Sequence, residues 1–130
     1  MVDALHQAHR AVRPGGTLID LRPDSGHQPR VTRGRRTLGA LYERRDAIVD
    51  NHFSDRAVAS VVRAGLLRPI RSGHFFYDLP PMDLPTLDAW LAESRRLGGY
   101  TRGTRATLSA DPARPIIVRR PLAYGIYRRI

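Results

Sequence analysis

Cysteine is missing from this chain, and so is lysine. Without a thiol there is no disulfide, no thiolate zinc site and no cysteine nucleophile. Without lysine, all 22 basic residues are arginine, and they outnumber 12 acidic ones to leave a formal charge of +10. That excess alone would point to a polyanionic partner. A replacement so complete is better explained by a coding bias toward arginine, and the arginines run from Arg10 to Arg129 without gathering on one segment. Long apolar runs are lacking too, so nothing is expected to span a bilayer. No basic stretch leads into an apolar one at the start, and a cytoplasmic location is therefore the expectation. With 130 residues, 42% hydrophobic and 26% charged, the composition is that of one globular domain, residues 1–130.

What is present is organised around Ala4 to Leu21, ALHQAHRAVRPGGTLIDL. Leu5, Ala8 and Val12 recur at helical spacing, with Arg10 and Arg13 pointing away from that stripe. Asp3 is placed to cap the first turn. Pro14 cannot continue the helix, and Gly15 or Gly16 can take the positive φ that closes it. Thr17 to Leu21 then reads as a mostly buried strand. Arg22 to Arg30 is a polar loop. Val31 and Leu38 can pair across Gly34-Arg35, where glycine in the first position suits a type II′ turn. Tyr42 to Asn51 is ambiguous, because Ala47, Ile48 and Val49 fit no helical stripe.

From Phe53 to Gly65 the pattern predicts a helix capped by Ser54 or Asp55, with Ala57, Val58, Val61 and Val62 on its apolar face. Leu66 to Leu79 reads as strand, broken at Pro69 and again at Ser72-Gly73. Thr86 is expected to cap a third helix that buries Leu87, Trp90, Leu91 and Leu97 and stops at Gly98-Gly99. Tyr100 to Arg114 reads as a polar, mobile connection. The last strand carries Ile116, Val118, Leu122, Tyr124, Ile126 and Ile130 on one face, with Pro121 demanding a bulge or an edge. Helix, strand, hairpin, helix, strand, helix, strand is an α/β or α+β order with an antiparallel end.

The stretch HRAVRPGGTLIDLRPD resembles the helix-to-strand passage late in class I, Rossmann-like S-adenosylmethionine-dependent methyltransferases. The matching residues are Arg10, Val12, Pro14, Gly15 and Gly16, followed by the strand Thr17 to Leu21. The resemblance implies that this strand is the family's fifth, that its next helix is Ser54 to Ala64, and that its sixth strand lies within Leu66 to Leu79. Pro115 to Arg129 would be the antiparallel seventh. The hairpin at Val31 to Leu41 and the helix at Thr86 to Leu97 would be insertions. The implied fold is a partial Rossmann-like methyltransferase sheet, the last strands with an antiparallel end, flanked by helices. The family's glycine-rich turn and acidic cofactor residues all precede the helix that opens this chain, so no cofactor-binding residue carries over. The implied function is a methyltransferase-like half-domain, inactive alone. S-adenosylmethionine would be bound only if a second copy or a separately encoded N-terminal half completed the sheet through Thr17 to Leu21.

Asp20, Arg22 and Asp24 stand at the C-terminal end of the first strand, where open α/β sheets place ligands. With His74 they are the candidate substrate-pocket residues. His74 shares a strand face with Asp78, a pairing that could act as a general base, yet no nucleophile motif or glycine-rich loop accompanies it. His6 and His9 share a helix surface with only Asp3 as a nearby carboxylate, the pattern of two solvent-facing histidines. An alternative is a basic winged-helix DNA-binding protein, in which Asp55 to Leu79 forms a helix and a two-stranded wing.

Overall fold

A computed structural model describes residues 1–130. Val2–Ala11 form helix α1, whose single fully buried residue is Leu5. Asp3 does not cap it. Met1 holds the cap position without a side-chain bond, and Asp3 sits inside the first turn, where a carboxylate still suits the positive helix end. Val12 is already extended, at φ −82° and ψ 130°. Past Pro14, Gly15 takes φ +75° and the Gly16 N–H donates to the Arg13 carbonyl at 2.8 Å, so the chain enters β1 (Thr17–Pro23) within a few residues. The orphan carbonyls at the end of α1 are covered from far along the chain. The Arg129 guanidinium donates to those of Val12 and Arg10, as a cation at a helix C-terminus should.

The order continues as β2 (Arg30–Arg33), β3 (Arg36–Glu43), α2 (Arg45–Arg63), β4 (Leu67–Asp78), α3 (Leu84–Glu93), β5 (Leu97–Tyr100), α4 (Thr104–Ser109) and β6 (Ile117–Arg129). The six strands follow the order β1-β6-β2-β3-β5, with β4 also paired to β6. The ladders between β1 and β6, β2 and β6, β2 and β3, and β3 and β5 are all antiparallel. The fold is therefore α/β, an antiparallel sheet flanked by helices. No helix is long and apolar enough to cross a membrane.

The chain falls into two compact units. The first comprises Met1–Ser25, Val49–Phe75 and Leu122–Ile130. Its core is Leu5, Leu18, Ala57, Val58, Val61, Leu67 and Tyr127, with Ala8, Val12 and Val62 packed against it. Strand alternation decides which residues reach that core. Leu18 lies opposite Tyr127, and both face the helices. Ile19 lies opposite Ile126 and Leu21 opposite Tyr124, on the other face. There Ile19 is 65% and Leu21 59% exposed. So the apolar period of the last strand was real, but its members Tyr124 and Ile126 lie on the uncovered side, while Tyr127 is the one buried.

Two further expectations for this unit change. Helix α2 begins at Arg45, well before Ser54. Ala47 and Asn51 are buried while Ile48, Val49 and Phe53 face solvent. A buried amide and exposed apolar residues hide the helical stripe from a hydrophobicity count. The strand after it is not interrupted: β4 runs through Pro69 and Ser72-Gly73 and pairs with β6. The two-stranded wing of the alternative fold is thus not formed. Proline is accommodated because β4 has β6 as its one partner and leaves its other edge free.

The second unit comprises Gly26–Ile48 and Phe76–Pro121. Val31, Leu41, Leu84, Leu87, Leu91, Leu97, Leu108, Ile116 and Val118 form its core. The hairpin turns at Gly34-Arg35 as expected, with φ +58° at Gly34 and no positive φ at Arg35, which fits type II′. A bulge between Val31 and Thr32 sets Val31 opposite Gly39 instead of Leu38. Helix α3 is capped by Asp83, whose carboxylate accepts from the Thr86 N–H at 2.9 Å; Thr86 itself does not cap. Leu97, Gly98 and Gly99 belong to β5, not to a helix and its stop. A side chain at Gly98 would run into the Tyr42 ring.

The Tyr100 to Arg114 stretch is ordered by α4, where Leu108 is fully buried and Thr104 2% exposed. Thr104 Oγ1 accepts the Ala40 N–H at 3.3 Å and lies 2.9 Å from Thr101 Oγ1. Asp88 ties the same unit together, accepting from Tyr100 Oη at 2.7 Å and Arg105 Nη2 at 2.7 Å. Burial and the Asp88 carboxylate push the Tyr100 phenol above its ordinary pKa. Helix α4 sits so close to β3 that a Cβ on Gly39 would overlap the Thr104 side chain. Gly39→Ala should therefore cost roughly 1–3 kcal/mol, read as a fall in the urea midpoint, whereas Gly34→Asn in the exposed turn should cost much less.

Candidate functional site

At the C-terminal end of β1 the alternation that buries Leu18 also turns Asp20 and Arg22 toward α2. Arg22 Nε donates to Asp55 Oδ1 at 2.8 Å and Nη1 to Asp20. Ser25 Oγ donates to Asp55 Oδ2 at 2.6 Å. Burial works against the charge on Arg22, but its bond to Asp55 and the fields of Asp20 and Asp55 outweigh it and raise its pKa. Burial likewise opposes ionisation of Asp55. The bonds from Ser25 and Arg22, with the charges of Arg22 and His52, prevail and hold the carboxyl below its ordinary 3.8. Arg22 is thus occupied by two carboxylates and is not free to hold an anionic substrate. Asp55, expected as a helix cap, is instead the member of α2 that closes this network.

Asp24 is buried, at 8% exposure, and His74 on β4 is exposed. Their oxygen and nitrogen ligand atoms lie within 4.8 Å of each other. The four candidate residues therefore separate into a charge network, Asp20–Arg22, and an imidazole–carboxylate pair, Asp24–His74. Asp78, the expected partner of His74, takes Arg119 Nε at 2.8 Å. Beside Asp55 a cleft of about 430 Å³ opens along α2, lined by His52, Asp55 and Arg56.

His6 and His9 offer a cation little. Burial lowers the pKa of His9, and the neighbouring charges of Arg129, His6 and Arg10 lower it further, a field that repels a metal ion as it repels a proton. No protein-family model matches the chain, and no curated protein or solved structure matches it either.

Because its pKa is depressed in the folded state, Asp55 contributes stability that is fully present above 3.8 and is lost as pH falls toward the lower folded value. Asp55→Asn should lower stability at neutral pH by roughly 1–2 kcal/mol, a charge-assisted bond discounted for partial exposure. It should also flatten the pH dependence of the urea midpoint below pH 3.8; an unchanged acid limb would show that the carboxylate carries no such linkage.

Proposed function

We propose that this chain is a methyltransferase-like half-domain: it supplies the last strands of a Rossmann-like sheet and acts with a polypeptide that supplies the cofactor-binding strands. The observation that carries this is the plan of the first unit. β1 runs antiparallel to β6. On the other side, β4 runs antiparallel to β6 as well, Leu66 meeting Ile130 at one end and Leu79 meeting Val118 at the other. β1 and β4 are therefore parallel to each other, like successive strands joined through a helix, and β6 is the reversed last strand. The helix–Pro-Gly-Gly–strand unit opens that plan at the position its sequence resembles. The two segments expected as insertions, Val31 to Leu41 and Thr86 to Leu97, both fall in the second unit.

Exposure supports the same reading. Parallel strands of α/β sheets are ordinarily covered on both faces, yet α1 and α2 cover one face of the first unit and Ile19 and Leu21 stand open on the other. Phe75 on β4 is 42% exposed, its ring 6.3 Å from that of Tyr124. β1 also has one unpaired edge, since β6 is its sole neighbour in the sheet. A complementary half adding a strand there would satisfy the edge and cover Ile19 and Leu21, worth about 1.5–3 kcal/mol for each side chain fully buried.

The residues of this chain do not themselves fit S-adenosylmethionine. Gly98 and Gly99 come nearest to a glycine-rich turn, but they lie against the Tyr42 ring and leave no cradle for a nucleoside. The contribution of this chain to methyl transfer is then the acceptor side, where the Asp24 carboxylate and the His74 imidazole lie together beside the end of β1. Titration calorimetry tests the proposal. The isolated chain should take up no S-adenosylmethionine, and uptake should appear with the complementary half; micromolar binding by the chain alone would contradict it.

A further inference from the structure

Three arginines of this protein face a carboxylate: Arg22 between Asp20 and Asp55, Arg105 on Asp88, Arg119 on Asp78. In the second unit, a cleft of about 450 Å³ gathers three arginines that face none. It is lined by Arg33, Arg36, Thr107, Asp111 and Arg114 together with Leu38. Arg33 and Arg36 stand opposite each other across the type II′ turn. The Arg33 Nη2 donates to the carbonyls of Leu108 at 3.4 Å, Arg114 at 3.1 Å and Asp111. Those bonds fix the guanidinium at the end of α4 but leave its charge unneutralised. Arg36 and Arg114 are exposed, and no ion pair engages either of them.

The other polar groups narrow the ligand. Thr107 Oγ1 donates to the Gly103 carbonyl at 3.0 Å, so toward the cleft it can only accept. Asp111 is an acceptor as well. Unpaired guanidiniums ask for an oxyanion, and their planar forks suit phosphate. Two acceptors beside them ask for hydroxyl donors. The volume lies within the range of small-molecule sites.

We propose that this cleft binds a phosphate monoester of a hydroxylated, pentose-sized molecule. Arg36 and Arg114 take the phosphate, Arg33 supplies fixed positive charge, and Asp111 and Thr107 accept from the sugar hydroxyls. A free sugar phosphate and the ribose phosphate of a nucleotide present the same groups. The site does not depend on the proposed pairing through β1.

Calorimetry on the full chain with ribose 5-phosphate, adenosine 5′-monophosphate, inorganic phosphate and ribose tests it. Ribose 5-phosphate or the nucleotide should bind, inorganic phosphate more weakly, and ribose not measurably. Tighter binding of the nucleotide assigns the ligand to that source, and tighter binding of ribose 5-phosphate to the free sugar. Arg36→Gln and Arg114→Gln should each weaken binding at least about tenfold, as loss of a charge-assisted phosphate contact does. Asp111→Asn should weaken ribose 5-phosphate but not inorganic phosphate. Arg10→Gln removes the same charge from α1 and should change nothing. An equal loss in Arg10→Gln, tighter binding of a single-stranded oligonucleotide, or no binding of either phosphate ester would overturn the site.

Discussion

The ladder between β1 and β6 is the interaction on which the first unit depends. It pairs Thr17–Pro23 with Arg128–Leu122 residue by residue. That register sends Leu18 and Tyr127 into the helices and Ile19 and Ile126 to the opposite face. A slip of one residue would exchange the two sets. The same pairing brings Arg129 to the end of α1 and Asp20 and Arg22 to the side of α2. Backbone pairing thus sets the geometry, and the helix end and the charge network close around it.

The ladder also accounts for what is left open. β6 has a neighbour along both edges, but β1 has only β6 and β4 likewise. Helices cover one face. A two-layer unit with exposed apolar residues on its second face and a free edge is what the proposed half-domain would present, and natural sheets normally blunt such edges with charge or proline. β4 does so with Pro69 and its arginines Arg68 and Arg71. β1 carries Asp20, Arg22 and Pro23, and on the face away from the helices it exposes Ile19 and Leu21. The exposed Ile19 and Leu21 are why the proposed partner is placed at β1.

Much of the framework was legible because proline and glycine act locally. Pro14-Gly15-Gly16 and Gly34-Arg35 force their turns whatever surrounds them, and both stand where the sequence placed them. What failed depended on tertiary packing. Asn51 is buried inside α2 while Phe53 faces out, so hydrophobicity alone misplaced the helix start. Gly98-Gly99 looked like a helix stop, but glycine is needed there because Tyr42 lies across β5. Asp83 rather than Thr86 caps α3, since both residues satisfy the local rule and the chain path decides. In the candidate site, Asp20, Arg22 and Asp24 were visible as the end of a strand. Asp55 was not, because its partner Arg22 lies 33 residues away and its own surroundings mimic a cap. His74 was singled out, but with Asp78 as partner rather than Asp24.

Sedimentation equilibrium of the chain at micromolar concentration, beside the double variant Ile19→Lys/Leu21→Lys, tests most directly whether the first unit is half of a larger sheet. The account predicts that the unaltered chain, given no complementary half, pairs with a second copy through the β1 edge and face, and that the variant is a folded monomer with the same circular dichroism. An unaltered chain that sediments as a clean monomer would contradict it.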